Sequence, residues 1–246
     1  MNENLTFNHD ERAVTVALTR AEKRNALDLA TSRALDAALD AAAEIPLPLV
    51  LRSATPGMFI AGTDVAALRR RTVEDSLGRV NARLFQHVED HPWPTIAVVD
   101  GWALGGGCEL ALSCDLRITT EDALWGLPEV RLGIIPSGGG LTRLAGLVGR
   151  SVASDLVLTG RRLDGVEAHR LGLAQRLTTR EGLDDALSAL LDELGETSTQ
   201  AVRLAKEAMR VDGDRHRLVD AAAQALCIGS EEAQRRIAKL LERRSG

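Results

Sequence analysis

Short apolar alternations followed by longer stretches of helical period set the rhythm of this chain. Val14, Val16 and Leu18 alternate within residues 13–18 and predict a strand. From Asp28 to Ala43, Leu and Ala recur at helical spacing, which predicts an amphipathic helix with Asp28 as its N-cap. Pro46 and Pro48 end that helix, and Leu49-Val50-Leu51 reads as a buried strand. Thr55-Pro56-Gly57 then turns the chain into Phe59-Ile60-Ala61-Gly62. A helix over residues 73–89 stops before Pro92 and Pro94, and the β-branched run 95–99 predicts another buried strand. A glycine-rich loop, a helix over 109–114, a strand over 116–119, a second glycine-rich loop over 133–140 and a helix through Val157 follow.

Units of strand, strand and helix without a long linker imply an α/β fold with buried strands. Beyond about Leu183 the pattern changes to Ala, Leu, Glu and Arg in helical periods. The expected organisation is therefore a core over residues 1–183 and a helical C-terminal region over 184–246. That region is too small for an ample core of its own and is expected to pack on a neighbour.

Composition narrows the function classes. With 35 acidic against 30 basic residues the net charge is −5, so no global field draws the chain to nucleic acid or anionic lipid. Three Trp, three Phe and no Tyr leave little for base stacking. A nucleic-acid partner is not expected. Lys stands only at 23, 206 and 239, so any anionic ligand must be met largely by Arg. Three cysteines, 108, 114 and 227, at no metal-like spacing suit a reducing compartment. The first ten residues lack the basic start and apolar core of a leader, and no apolar run reaches the roughly 18–20 residues of a membrane span. A cytoplasmic protein without a membrane partner is expected.

His87 and His91 stand four apart, but Pro92 disfavours helical geometry at His91 and no third ligand is near. They read as two surface histidines at a helix end, and no metal is expected. Cys108 has no neighbouring base and reads as a small buried packing residue. The segment Asp100-Gly-Trp-Ala-Leu-Gly-Gly-Gly-Cys-Glu109 follows a buried strand and opens a helix. It matches neither a phosphate loop nor a dinucleotide fingerprint. Consecutive glycines serve close backbone approach, either as a tight strand-to-helix turn or as bare N–H groups that meet an anion or a developing oxyanion. Glu109 sits inside this turn, and Glu129, in Trp125-Gly-Leu-Pro-Glu129, precedes the second glycine loop. Each alone reads as a helix-dipole or surface residue; together they form a candidate acid/base pair beside an oxyanion site.

These residues bring out a resemblance to the crotonase, or enoyl-CoA hydratase/isomerase, superfamily. The similar segments are Ala21-Glu-Lys-Arg-Asn25-Ala26-Leu27 (family P-x-x-x-N-A-L), Phe59-Ile-Ala-Gly-Thr63-Asp64 (F-x-A-G-A-D) and Gly101-Trp-Ala-Leu-Gly-Gly-Gly-Cys-Glu109 (G-x-A-x-G-G-G-x-E). Pro128-Glu129 through Gly140 and Leu158-Thr-Gly160-Arg continue it, so the likeness spans nearly the whole chain.

The resemblance implies a β-β-α spiral core, a helical C-terminal trimerisation region giving trimers or hexamers, and an acyl-CoA thioester as substrate. No cofactor beyond the coenzyme A of the substrate is implied. It places the oxyanion-hole amides at Thr63 and Gly106 and the two hydratase carboxylates at Glu109 and Glu129. Substrate and coenzyme A contacts fall on Arg24, Ala26, Ala61, Asp64, Gly105 and Arg243. Thr63 stands where the family has Ala, Ala66 and Arg243 where it often has Lys, and Leu240 where Phe is usual. Arg24, Arg69-Arg70-Arg71 and Arg243 are thus the candidate phosphate contacts, the central run reading equally as a solvated helix face. Retention of both acids favours water addition to a 2-enoyl-CoA, giving a 3-hydroxyacyl-CoA. Isomerisation or dehydration of another acyl-CoA, and a non-catalytic acyl-CoA binder, are the alternatives.

Overall fold

The computed structural model describes residues 3–62, 72, 74, 80–210, 222, 224–228, 230, 231, 233, 235 and 237. A six-stranded sheet runs in the order β1 (Leu5–His9), β2 (Val14–Leu18), β3 (Leu49–Ser53), β4 (Thr95–Val99), β6 (Leu116–Thr120), β9 (Arg176–Thr178). β1 and β2 pair antiparallel and every later neighbour pairs parallel. A second sheet holds β5 (Trp102–Leu104), β7 (Leu124–Gly126) and β8 (Leu163–Asp164), and a parallel bridge from Ile60 to Ala103 extends it. The chain visits the first sheet, then the second, then a helix, and repeats. The helices of these turns are α2 (Val80–Asp90), α3 (Gly106–Ser113) and α4 (Gly140–Thr159), with α1 (Leu29–Ala43) preceding them.

Period-2 alternation decides which side of the large sheet each residue faces. Leu49, Leu51, Ala97 and Val99 point into the main core with Phe59, Phe85, Leu110 and Trp125. Val50, Ile96, Val98 and Ile118 point the other way, where Leu183, Leu187 and Leu190 of α6 (Leu183–Gly195) cover them. Both faces are buried, which is why these strands are continuous apolar runs. Helices α5 (Gly165–Arg170) and α7 (Thr199–Ala208) and the 3-10 turns Ala21–Lys23 and Pro128–Leu132 are the remaining described elements. α1 is capped by Asp28, whose carboxylate accepts the Thr31 N–H at 2.8 Å.

Four features depart from the sequence expectation. Strand β1 adds an antiparallel edge before the first expected strand, its polar residues facing outward. Strands β5 and β7 lie inside segments that read as loops, each only three residues long and held by pairing partners distant in sequence. Helix α3 begins at Gly106 rather than Glu109, so part of the glycine run is helical. His91, expected at the surface, is 1% exposed with neither ring nitrogen partnered. Burial, and next the charge of Lys206, push its pKa down to about 3. His87 instead meets Asp36 at 2.8 Å. Among the described residues no cluster of three His, Cys, Asp or Glu could hold a metal ion, and no helix is long and apolar enough to cross a membrane.

Candidate active site

The first glycine run makes two close approaches. Gly105 adopts φ +53°, and a Cβ there would stand 3.0 Å from Glu129 Oε1. At Gly107 a Cβ would lie 2.1 Å from the Ile60 carbonyl oxygen, so α3 rides directly on the chain at Ile60. The helix supplies no acceptor for its own first amide, that of Gly106.

Glu109 is buried on the inner side of α3, and its Oε1 accepts the N–H groups of Gly138 at 2.7 Å and Gly140 at 3.0 Å. Side chains at either position would strike the carboxyl: a Cβ at Gly138 would lie 2.8 Å from Oε2 and one at Gly140 2.7 Å from Cγ. The second glycine loop lays two bare amides on Glu109, and at Gly138 the lack of a side chain also spares the Phe85 ring, 2.5 Å from such a Cβ. Burial holds this carboxyl above the usual range, opposed by the Gly140 and Gly138 amides and by the charge of Arg143. Glu129 sits in the 3-10 turn Pro128–Leu132. Its buried Oε2 has no partner, and burial, with the charge of Glu109, raises its pKa to about 7. The two acids thus occupy unlike surroundings: one surrounded by donors, the other bare.

Both line one cavity of about 340 Å³, together with Arg24, Ala61, Gly105 and Gly106. Leu104, Leu132, Ile134 and Ile135 form its apolar wall. Asn25 explains part of this convergence. Its side chain donates to the Phe59 carbonyl and to Ser53, both at 2.8 Å, while the Ala61 amide donates to the Arg24 carbonyl and the Leu27 amide to that of Gly62. The Asn-Ala-Leu segment thereby fixes residues 59–62 as one rim. Arg24 lies over the Trp102 ring at 5.0 Å. Ala26 does not line the cavity; its carbonyl is taken by Arg20. Thr63, Asp64, Ala66, Arg69, Arg70, Arg71, Leu240 and Arg243 lie outside the described residues.

The profile of the enoyl-CoA hydratase/isomerase family matches residues 9–242. The chain belongs to this family. It is 32% identical to a crotonyl-CoA hydratase of Syntrophomonas wolfei over 98% of this chain and 96% of that protein. A short-chain-enoyl-CoA hydratase of Clostridium acetobutylicum is 31% identical over 98% of this chain and 95% of its own length. The crystal structure of an enoyl-CoA hydratase from Bacillus anthracis superposes with a TM-score of 0.91 at 30% identity, covering 98% of this chain and 96% of that one. This member of the enoyl-CoA hydratase/isomerase family thus has the crotonase fold, with two sheets and helices wound in successive turns.

Several contributors to its cavity were not foreseen. The Gly138 and Gly140 amides, Trp102, Ile134, Ile135 and Arg162 all reach the site or its acids. The only sequence signal was the glycine loop itself, because nothing in its spacing names Glu109, 29 residues earlier, as its target.

Proposed function

We propose that the protein hydrates 2-enoyl-CoA thioesters to 3-hydroxyacyl-CoA products. The observation that carries the reading is the pair of carboxyls in unlike environments at the rim of a helix N-terminus. Water addition places negative charge on the thioester oxygen, which the Gly106 amide, paired with that of Thr63, would meet without reorganisation. Glu109, held by two amides, binds and deprotonates the attacking water. Glu129, neutral up to about pH 7, delivers the proton to the α carbon. Arg24, on the cavity wall, would meet a phosphate of coenzyme A with its guanidinium, and Arg243 would be a second contact. Double-bond isomerisation needs only one acid, so retention of both supports hydration. The test is loss of the conjugated enoyl chromophore across a panel of acyl-CoAs of different length and branching. No loss with any member would overturn the proposal.

The same assignment sets the pH dependence. Glu129 is needed in its protonated form and its pKa is raised, so hydration persists from mildly acidic pH up to about 7 and falls as pH rises through that value. A kcat/KM profile for hydration that still climbs between pH 7 and 9 would contradict the assignment of roles.

We also propose a homotrimer or a hexamer of two trimers, in a reducing cytoplasmic setting that suits three unpaired cysteines. Support comes from apolar side chains left outside: Leu158 is 75% and Met209 78% exposed, and Leu226 and Ile228 are exposed on the C-terminal segment. Light scattering at micromolar concentration is expected to return three or six times the chain mass, and a monomer would refute the assembly.

A further inference from the structure

Arg143 belongs to the first turn of α4 and is largely buried, yet it does not line the cavity. Its guanidinium is fully engaged on one side by Glu89 of α2, with Nε donating to Glu89 Oε2 at 2.9 Å and Nη2 to the same oxygen. On the other side Nη1 donates to the Gly138 carbonyl at 2.8 Å. The Arg143 amide donates to the Gly139 carbonyl at 3.1 Å, and the Thr142 hydroxyl donates to that same carbonyl at 3.0 Å. A trans peptide points its C=O and N–H in opposite directions. Anchoring the Gly139 carbonyl therefore aims the Gly140 N–H away from α4 and at Glu109. Anchoring the Gly138 carbonyl fixes the preceding plane, and with it the φ of +95° at Gly139.

We propose that Arg143 is a positioning residue for hydration: braced on Glu89, it holds the 138–140 loop with its amides on Glu109 and adds a fixed positive charge behind that carboxylate. The proposal rests on the reading of Glu109 given above. Among the described residues, the charged and titratable groups around Glu109 are Arg143 from α4, Glu89 from α2 bound to it, Glu129 from the 3-10 turn, Arg24 and Arg162 on the cavity wall, and the Cys108 thiol on its own helix, whose pKa burial raises. Among the described residues, Arg143 is a cation whose charge favours the ionised form of Glu109.

The test compares kcat, KM and the pH profile of full-length Arg143→Met and Arg143→Lys with wild type. Arg143→Met is expected to lower kcat about 10- to 100-fold with KM within about threefold, as for a misaimed catalytic group. It is also expected to move the acidic limb of the kcat/KM profile upward by about one pH unit, because Glu109 then protonates more easily. Arg143→Lys keeps the charge and loses the fork, so its limb stays within a few tenths of wild type while kcat still falls. A brace that merely ties α4 to α2 would lower thermal stability and leave both limbs in place. A folded Arg143→Met enzyme with an unmoved acidic limb overturns the proposal. Should that variant not fold, Glu89→Gln serves instead: it frees the guanidinium from its anchor and removes an anion while the Arg143 charge stays, so a fall in kcat with KM within about threefold and no upward limb shift supports the proposal, and wild-type kcat or an upward limb shift overturns it. Glu109→Gln in the same series separates the two readings. Wild-type turnover there removes Glu109 from the mechanism whatever Arg143 does, whereas an inactive Glu109→Gln leaves the Arg143 result to speak for Arg143 alone.

Discussion

Glu129→Gln is expected to lose about two orders of magnitude or more of hydration activity, and to be the more stable protein at pH 8. The activity loss follows from removing the proton that must reach the α carbon. The stability gain follows from linkage. The Glu129 pKa rises from an ordinary 4.5 in the unfolded chain to about 7 when folded. Between those values the folded state binds more protons than the unfolded state, so stability declines as pH rises through that window, and the whole penalty is present above pH 7. Glutamine carries no charge to desolvate. Allowing for the part of the side chain that meets solvent, the gain is about 1–2 kcal/mol at pH 8, shrinking to nothing below about pH 4.5. Paired denaturant melts at pH 4.5 and 8 check it. Near-wild-type turnover, or equal stability at both pH values, would dismiss the description of Glu129 as a bare, proton-holding acid. Glu109→Gln is expected to lose a comparable factor in rate, because the amide retains Oε1 for Gly138 and Gly140 but cannot take a proton from water.

Gly107→Ala is expected to cost about 3 kcal/mol or more, or to abolish soluble expression. The new methyl would lie 2.1 Å from the Ile60 carbonyl oxygen and 2.8 Å from Ile60 Cβ. Neither atom can yield, since the Ile60 amide donates to Trp102 at 2.8 Å and its carbonyl accepts from Leu104 at 3.2 Å. Helix α3 would have to lift off the second sheet, carrying the Gly106 amide and Glu109 with it. Gly146→Ala is the control: it lies within α4 with nothing within 4 Å of the added carbon, and the exchange should be neutral or stabilising by up to about 1 kcal/mol. Thermal melts of the two variants side by side decide the matter. Equal midpoints would show that α3 does not need its close seat on Ile60.

Pattern reading succeeded where the local signal was strong. The runs 49–51 and 95–99 are strands because their β-branched and aliphatic residues are buried on both faces, the one polar member, Thr95, being satisfied by Asp115. The Asp28 cap held because a short carboxylate beside a helix start satisfies an orphan amide whatever lies further away. It failed for β5 and β7, three residues each, whose extended conformation comes from partners about 20 residues apart rather than from propensity.

The ordered glycine motifs and the two glutamates were legible as a candidate site because their residue types have few other uses so close together. The chemistry that separates the two acids was not. Glu109 and Glu129 are the same residue in the sequence, and only the fold surrounds one with the Gly138 and Gly140 amides and leaves the other's Oε2 without a partner. The physical reason is that a pKa is set by desolvation and by the dipoles and charges within a few ångströms. Those neighbours of Glu109 come from segments 20 to 34 residues further along the chain, Glu129 first and then Gly138, Gly140 and Arg143, and the winding of the chain alone brings them together.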